Sequence, residues 1–101
     1  MKTPKNISLE KSVAVIVLNY KNKDETVSCI KHLKTSIYRN YTIFVVDNNS
    51  QDGSFEFLKE RLPDCEVYET GDNNGYAAGN NYAIRIALKK QYDYICIINN
   101  D

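Results

Sequence analysis

Six consecutive apolar residues, Val13-Ala14-Val15-Ile16-Val17-Leu18, constrain this chain more than any other feature. Largely β-branched and without alternation, such a run suits a strand buried on both faces, the mark of a parallel sheet covered by helices. It stops at Asn19-Tyr20. A second run, Tyr41-Thr42-Ile43-Phe44-Val45-Val46, stops at Asp47, and Tyr94-Ile95-Cys96-Ile97-Ile98 runs into Asn99-Asn100-Asp101.

Helical periodicity fills the gaps. Asn22 and Glu25 have capping-box spacing, and Val27, Ile30, Leu33 and Ile37 recur at helical intervals, so a helix is expected over about 24–36. Residues 48–53 are dense in turn formers, after which Phe55, Leu58 and Leu62 predict a second helix closed by Pro63-Asp64. Residues 65–70 alternate enough for a third, peripheral strand. An Asn-rich, small-residue loop over 71–81 then leads into a third helix with Ala83, Ile84, Ala87 and Leu88 as its buried stripe. The pattern is β-α-β-α-β-α-β with short loops. Right-handed crossovers make it a Rossmann-like α/β fold, a parallel sheet of expected order 3-2-1-4 with helices on both faces.

In that order the topological switch lies between the first and fourth strands, and ligands bind beyond the strand C-termini there. The residues gathered at that end are Asn19, Tyr20, Asp47, the loop over 73–80 and Asn99 to Asp101. Asp47 can accept a hydrogen bond from a ribose hydroxyl or a base N–H, or it can cap its own turn. Tyr20 can stack on a base. Gly75 and Gly79 allow backbone to approach a ligand at a helix N-terminus, or equally a cap and a close helix–sheet contact. Asp101 is a carboxylate at the sheet edge, and a hard cation that bridges phosphates needs only one or two of these. After the first strand stands NYKNKDE, without glycine. That removes the glycine cradle of dinucleotide-binding enzymes and P-loop hydrolases.

Composition narrows the partners. Among 101 residues, Lys plus Arg is 13 and Asp plus Glu is 13, a net charge of zero that argues against nucleic acid as a partner. No apolar run nears the roughly 20 residues needed to cross a bilayer. Residues 1–11 are polar, carry Pro4 and read as a flexible arm without the apolar centre of a signal peptide. A cytoplasmic protein is therefore expected, with 12–101 as one domain. Three cysteines without a CxxC pair, and a lone His32 not spaced with them, read as reduced and mostly buried thiols rather than a metal site.

Read together, VAVIVLNYK, VVDNNSQDGS, DNNGYAAGNNYAI and YICIINND are far more specific than any one of them. In this order they resemble the nucleotide-sugar-binding, N-terminal half of family-2 glycosyltransferases of the GT-A fold, most like the bacterial rhamnosyltransferase-like branch. The likeness covers residues 12–101 and implies a truncated GT-A fold ending at an Asp-x-Asp-like motif. By resemblance, Asn19 and Tyr20 line the base pocket and Asp47 bonds the base. Asn74, Gly75, Gly79 and Asn80 close over the nucleotide and sugar phosphate. Asn99 replaces the first Asp of the family motif and faces the ribose, and Asp101 holds Mg2+ or Mn2+.

The implied function is transfer of a sugar from a UDP- or dTDP-sugar to a glycan or lipid-linked acceptor in cell-surface polysaccharide synthesis, with inversion, near the inner face of the membrane. The catalytic base is expected beyond Asp101, so these 101 residues alone are expected not to transfer sugar. The alternative is a non-catalytic nucleotide-binding module. A nucleotidyltransferase fits less well, because NYKNKDE lacks the glycine-rich, Arg-bearing loop it needs. Two further expectations follow. The apolar strand over 94–98, left as an edge, is expected to self-associate. Asp47 and Asp101 are expected to lie exposed at one end of the sheet, on the order of 10 Å apart.

Overall fold

The computed structural model describes residues 11–35, 39–71 and 75–98, without the side chain of Tyr76. Four strands and three helices alternate: β1 (Val13–Asn19), α1 (Lys23–Leu33), β2 (Tyr41–Asp47), α2 (Ser54–Arg61), β3 (Glu66–Glu69), α3 (Tyr76–Lys89) and β4 (Tyr94–Ile98). All pairings are parallel and the order is β3-β2-β1-β4. The expected architecture is the one observed.

The two faces of the sheet are covered by different helices. On one, Val17, Ile43 and Val45 pack with Val27 and Ile30 of α1, Leu58 of α2 and Leu62 just beyond it. On the other, Ala14, Ile16, Phe44 and Val46 pack against Ala83 and Ala87 of α3. Alanine on the α3 stripe brings that helix close to the sheet. Phe44 fills the remaining space, its ring stacked with Tyr68 and edge-on to Tyr92 at centroid distances of 6.1 and 5.6 Å.

Four details of the sequence reading change. Asn22 stands at the N-cap of α1 but makes no side-chain cap bond, because its backbone (φ −147°, ψ 43°) does not aim the amide at the first turn. The helix ends at Leu33, with Lys34 as C-cap, short of residue 36; Ile37 lies outside the described residues. Leu88 is 60% exposed. Gly79, Asn80, Ala83 and Ala87 form the inward stripe, and Leu88 sits about 100° further round the helix than Ala87. Finally, Cys96 is exposed while Cys29 and Cys65 are half-buried, since among the described residues β4 pairs with β1 alone. Burial pushes the Cys65 thiol up to about 11 and also raises that of Cys29.

Candidate functional site

The register aligns three strand ends. Asn19 is the partner of Asp47, and Asp47 of Glu69. The ladder continues one step past the strands, with Asn48 N donating to Asn19 O at 2.9 Å and Thr70 N to Asp47 O at 3.0 Å. Polar residues that end apolar strands are thus held side by side at the C-terminal edge of the sheet. The first two are also buried, Asn19 0% exposed and Asp47 1%, whereas Glu69 is exposed.

Such groups persist in an interior only when hydrogen-bonded, and this cluster is. Asn19 Nδ2 donates to Asp47 Oδ1 at 2.8 Å. Its orientation is fixed from behind by α1, where Thr26 Oγ1 donates to Asn19 Oδ1 at 2.7 Å. Ser50 closes the turn, its hydroxyl donating to Asp47 Oδ1 at 2.6 Å and its N–H to Oδ2 at 3.2 Å. The same hydroxyl accepts the Lys21 N–H at 2.8 Å. A carboxylate offers about four acceptor sites; three are taken among the described residues, which leave one on Oδ2. The expectation of an exposed Asp47 is therefore corrected. The turn folds over the carboxylate because Ser50 reaches back to it.

Tyr20 differs from these neighbours. It is 44% exposed, and the Lys21 ammonium lies 5.4 Å from its ring centroid. On the other flank, Asn48 ties three elements together: its Nδ2 donates to Gly75 O at 3.2 Å and its Oδ1 accepts from Thr70 Oγ1 at 3.1 Å. Gly75 is the N-cap of α3 at φ 98°, in the left-handed region open to glycine. Gly79 is packed tightly. A Cβ there would lie 2.6 Å from Leu18 Cδ1 and 3.2 Å from Asn48 Cγ, so the first turn of α3 rests directly on the ends of β1 and β2. Next to it Asn80 is 4% exposed, and among the described residues its Oδ1 has no hydrogen-bond partner. The first turn of α3 carries no acidic residue and no side-chain cap bond.

Of the residues singled out from the sequence, Asn19, Tyr20, Asp47, Gly75, Gly79 and Asn80 come together at one end of the sheet. Asn74, Asn99 and Asp101 lie outside the described residues, and with them the separation of Asp47 from Asp101. Among the described residues no group of three or more His, Cys, Asp or Glu could hold a metal ion. No described helix is long and apolar enough to cross a membrane. Sequence reasoning missed Ser50, Thr26 and Asn48. Ser50, three residues after a strand-end Asp, has the spacing of a side chain that closes a turn. Nothing local marks Thr26.

With this geometry in place, comparison with known proteins settles the kinship. The model for Glycosyl transferase family 2 matches residues 12–101. The chain belongs to that family. A low-salt glycan biosynthesis hexosyltransferase of Haloferax volcanii is 29% identical over 90 residues, covering 88% of this chain and 27% of the relative. Among solved structures, a mannosyltransferase of Pyrobaculum calidifontis in complex with GDP-Man and Mn2+ superimposes with a TM-score of 0.66 at 25% identity, over 76% of this chain and 24% of its own. This family-2 chain thus spans about a quarter of the length of either relative. The residues matched by the family model, 12–101, include all four strands.

Proposed function

We propose that the chain binds the nucleoside-diphosphate part of a sugar donor across the C-terminal end of its sheet. In the whole protein, this binding serves transfer of the sugar, with inversion, to a glycan or lipid-linked acceptor of cell-surface polysaccharide synthesis. One observation carries the reading: a buried, internally bonded Asn19–Asp47–Ser50 cluster at the strand ends, with the exposed ring of Tyr20 beside it. The relatives support it, since one is a glycan-building hexosyltransferase and the other was solved with GDP-Man.

The chemistry of each residue follows. Tyr20 offers a face on which a base can stack. The free acceptor site of Asp47 matches a base N–H, and uracil, thymine and guanine each present one, so a GDP-sugar joins the UDP- and dTDP-sugars as donor. The first turn of α3, without an acidic side chain or a side-chain cap bond, suits a phosphate. Gly75, Gly79 and Asn80 form the wall beneath that turn, and Asn74 and Asn99 are assigned to the sugar-phosphate and ribose sides.

Asp101 is assigned a divalent cation, Mg2+ or Mn2+, which when bound supplies Lewis-acid stabilisation of the departing diphosphate. The neighbour's Mn2+ supports this assignment. The catalytic base is assigned to residues beyond Asp101. The cytoplasmic placement at the inner face of the membrane belongs to the same proposal, with fractionation of the whole protein as its test. Self-association through β4 is supported by the 60% exposure of Tyr94 and 43% of Ile97 on an edge strand, and sedimentation velocity tests it.

Titration calorimetry with GDP, UDP and dTDP, each with and without Mg2+, tests the central reading. Binding of at least one is expected, with a metal-dependent gain that Asp101→Ala abolishes. Heats indistinguishable from dilution for all three would contradict it.

A further inference from the structure

Ser50 was not among the residues the sequence pointed to, yet its hydroxyl links the two loops flanking the proposed base pocket. From the β2–α2 loop it donates to Asp47 Oδ1 at 2.6 Å, and from the β1–α1 loop it accepts the Lys21 N–H at 2.8 Å. Asn19 Nδ2 lies 3.5 Å from the same oxygen. Ser50 is itself 1% exposed, so water does not compete for these bonds.

The two loops need such a tie. Lys21 is held at φ 53°, and Asn49 and Gln51 on either side of Ser50 at φ 61° and 58°. The left-handed region costs an ordinary side chain free energy that surrounding bonds must offset. For Lys21 the offsetting bond is the one to Ser50. The residue before it is Tyr20, the exposed ring proposed to stack on the base.

We propose that Ser50 is a positioning residue for the nucleotide: one hydroxyl fixes the rotamer of Asp47 and the height of the Tyr20–Lys21 loop together, so that hydrogen-bonding edge and stacking face are set before ligand arrives. Preorganisation of this kind raises affinity by removing ordering costs from the binding step. The proposal rests on the nucleotide-binding reading above.

The test combines amide hydrogen exchange by NMR with calorimetry, on the full chain and its Ser50→Ala variant, using GDP and UDP with Mg2+ as probes. Leu62→Ala, in the core on the α1–α2 face, is the control for a loss of stability alone. Ser50→Ala is expected to speed exchange of the Lys21 amide at least tenfold and to weaken nucleotide binding about tenfold, whereas Leu62→Ala keeps parental affinity. Where Ser50→Ala does not fold, Ser50→Cys, with a weak sulfur acceptor in the same place, is read in the same way. A Lys21 amide as protected as in the parent overturns the tie. So does equal weakening in Leu62→Ala, or unchanged affinity in the Ser50 variant. A parent that binds neither nucleotide overturns the proposed function itself, and the positioning role with it.

Discussion

At the residue scale, Asp47 has a structural duty beside its proposed one. Its carboxylate accepts from Asn19 Nδ2, Ser50 Oγ and Ser50 N, so it holds the strand ends together as well as carrying the proposed contact to a base. Asp47→Ala would leave two buried N–H donors without an acceptor. Each such group costs about 1–3 kcal/mol, so a loss of about 2–6 kcal/mol is expected in urea denaturation. A loss below about 0.5 kcal/mol would show that water replaces the carboxylate. Its burial was not legible in the sequence. It depends on register bringing Asn19 beside it across the sheet, and on a turn that no local pattern specifies.

Tyr68 gives a second residue-scale prediction, independent of ligand. Its hydroxyl donates to Glu66 Oε1 at 2.6 Å, and burial, then that bond, pushes the phenol from 10.0 up to about 12. A pKa raised by folding means that the stabilisation is whole below the unfolded value and is lost as pH rises through the folded one. The stability difference between the parent and Tyr68→Phe is therefore expected to hold steady up to pH 10 and to shrink between pH 10 and 12. Chemical denaturation across that range measures it. A flat difference would mean that Tyr68 titrates alike in both states. The same bond is the first cause of the lowered Glu66 pKa, a contribution present above 4.5 and lost as pH falls through the folded value.

At the scale of elements, the strands were legible because three apolar runs leave a chain few other ways to hide them. Their order followed from short right-handed connections. Helix faces were legible only in part. Ala83 and Ala87 face the sheet as expected, but Leu88 does not, because the stripe turns toward Gly79 and Asn80 at the C-terminal end of the sheet. The cap at Asn22 failed for a related reason, since capping needs a backbone angle as well as a residue type.

Gly79 marks where an element's position is set by the absence of a side chain. Gly79→Ala places a methyl 2.6 Å from Leu18 Cδ1 and 3.2 Å from Asn48 Oδ1. Leu18 can turn aside, but Asn48 is tied to Gly75 and Thr70 and can yield only by loosening those bonds. A loss of about 1–3 kcal/mol is expected in thermal or urea denaturation, the usual cost of overpacking. Unchanged stability would mean that α3 slides freely over the strand ends.

At the scale of the whole molecule, the proposed function gives the two ends of the sheet different purposes. At the N-terminal end, Ser12 and Asp93 lock the starts of β1 and β4: Ser12 N donates to Asp93 Oδ2 at 2.8 Å, and Asp93 N to Ser12 Oγ at 3.0 Å. At the C-terminal end the polar groups are also hydrogen-bonded, but among the described residues capacity is left on Asp47 Oδ2 and Asn80 Oδ1. The family-2 kinship covers both ends alike, so the division of labour is a claim about this chain that its own spectra can test. The most direct measurement is a titration of the isotope-labelled chain with GDP and with UDP in the presence of Mg2+, followed residue by residue by NMR. The account predicts shifts concentrated at 19–21, 47–51 and 75–81, with Ser12 and Asp93 unmoved. Shifts centred on Ser12 and Asp93, or none anywhere at millimolar nucleotide, would contradict it.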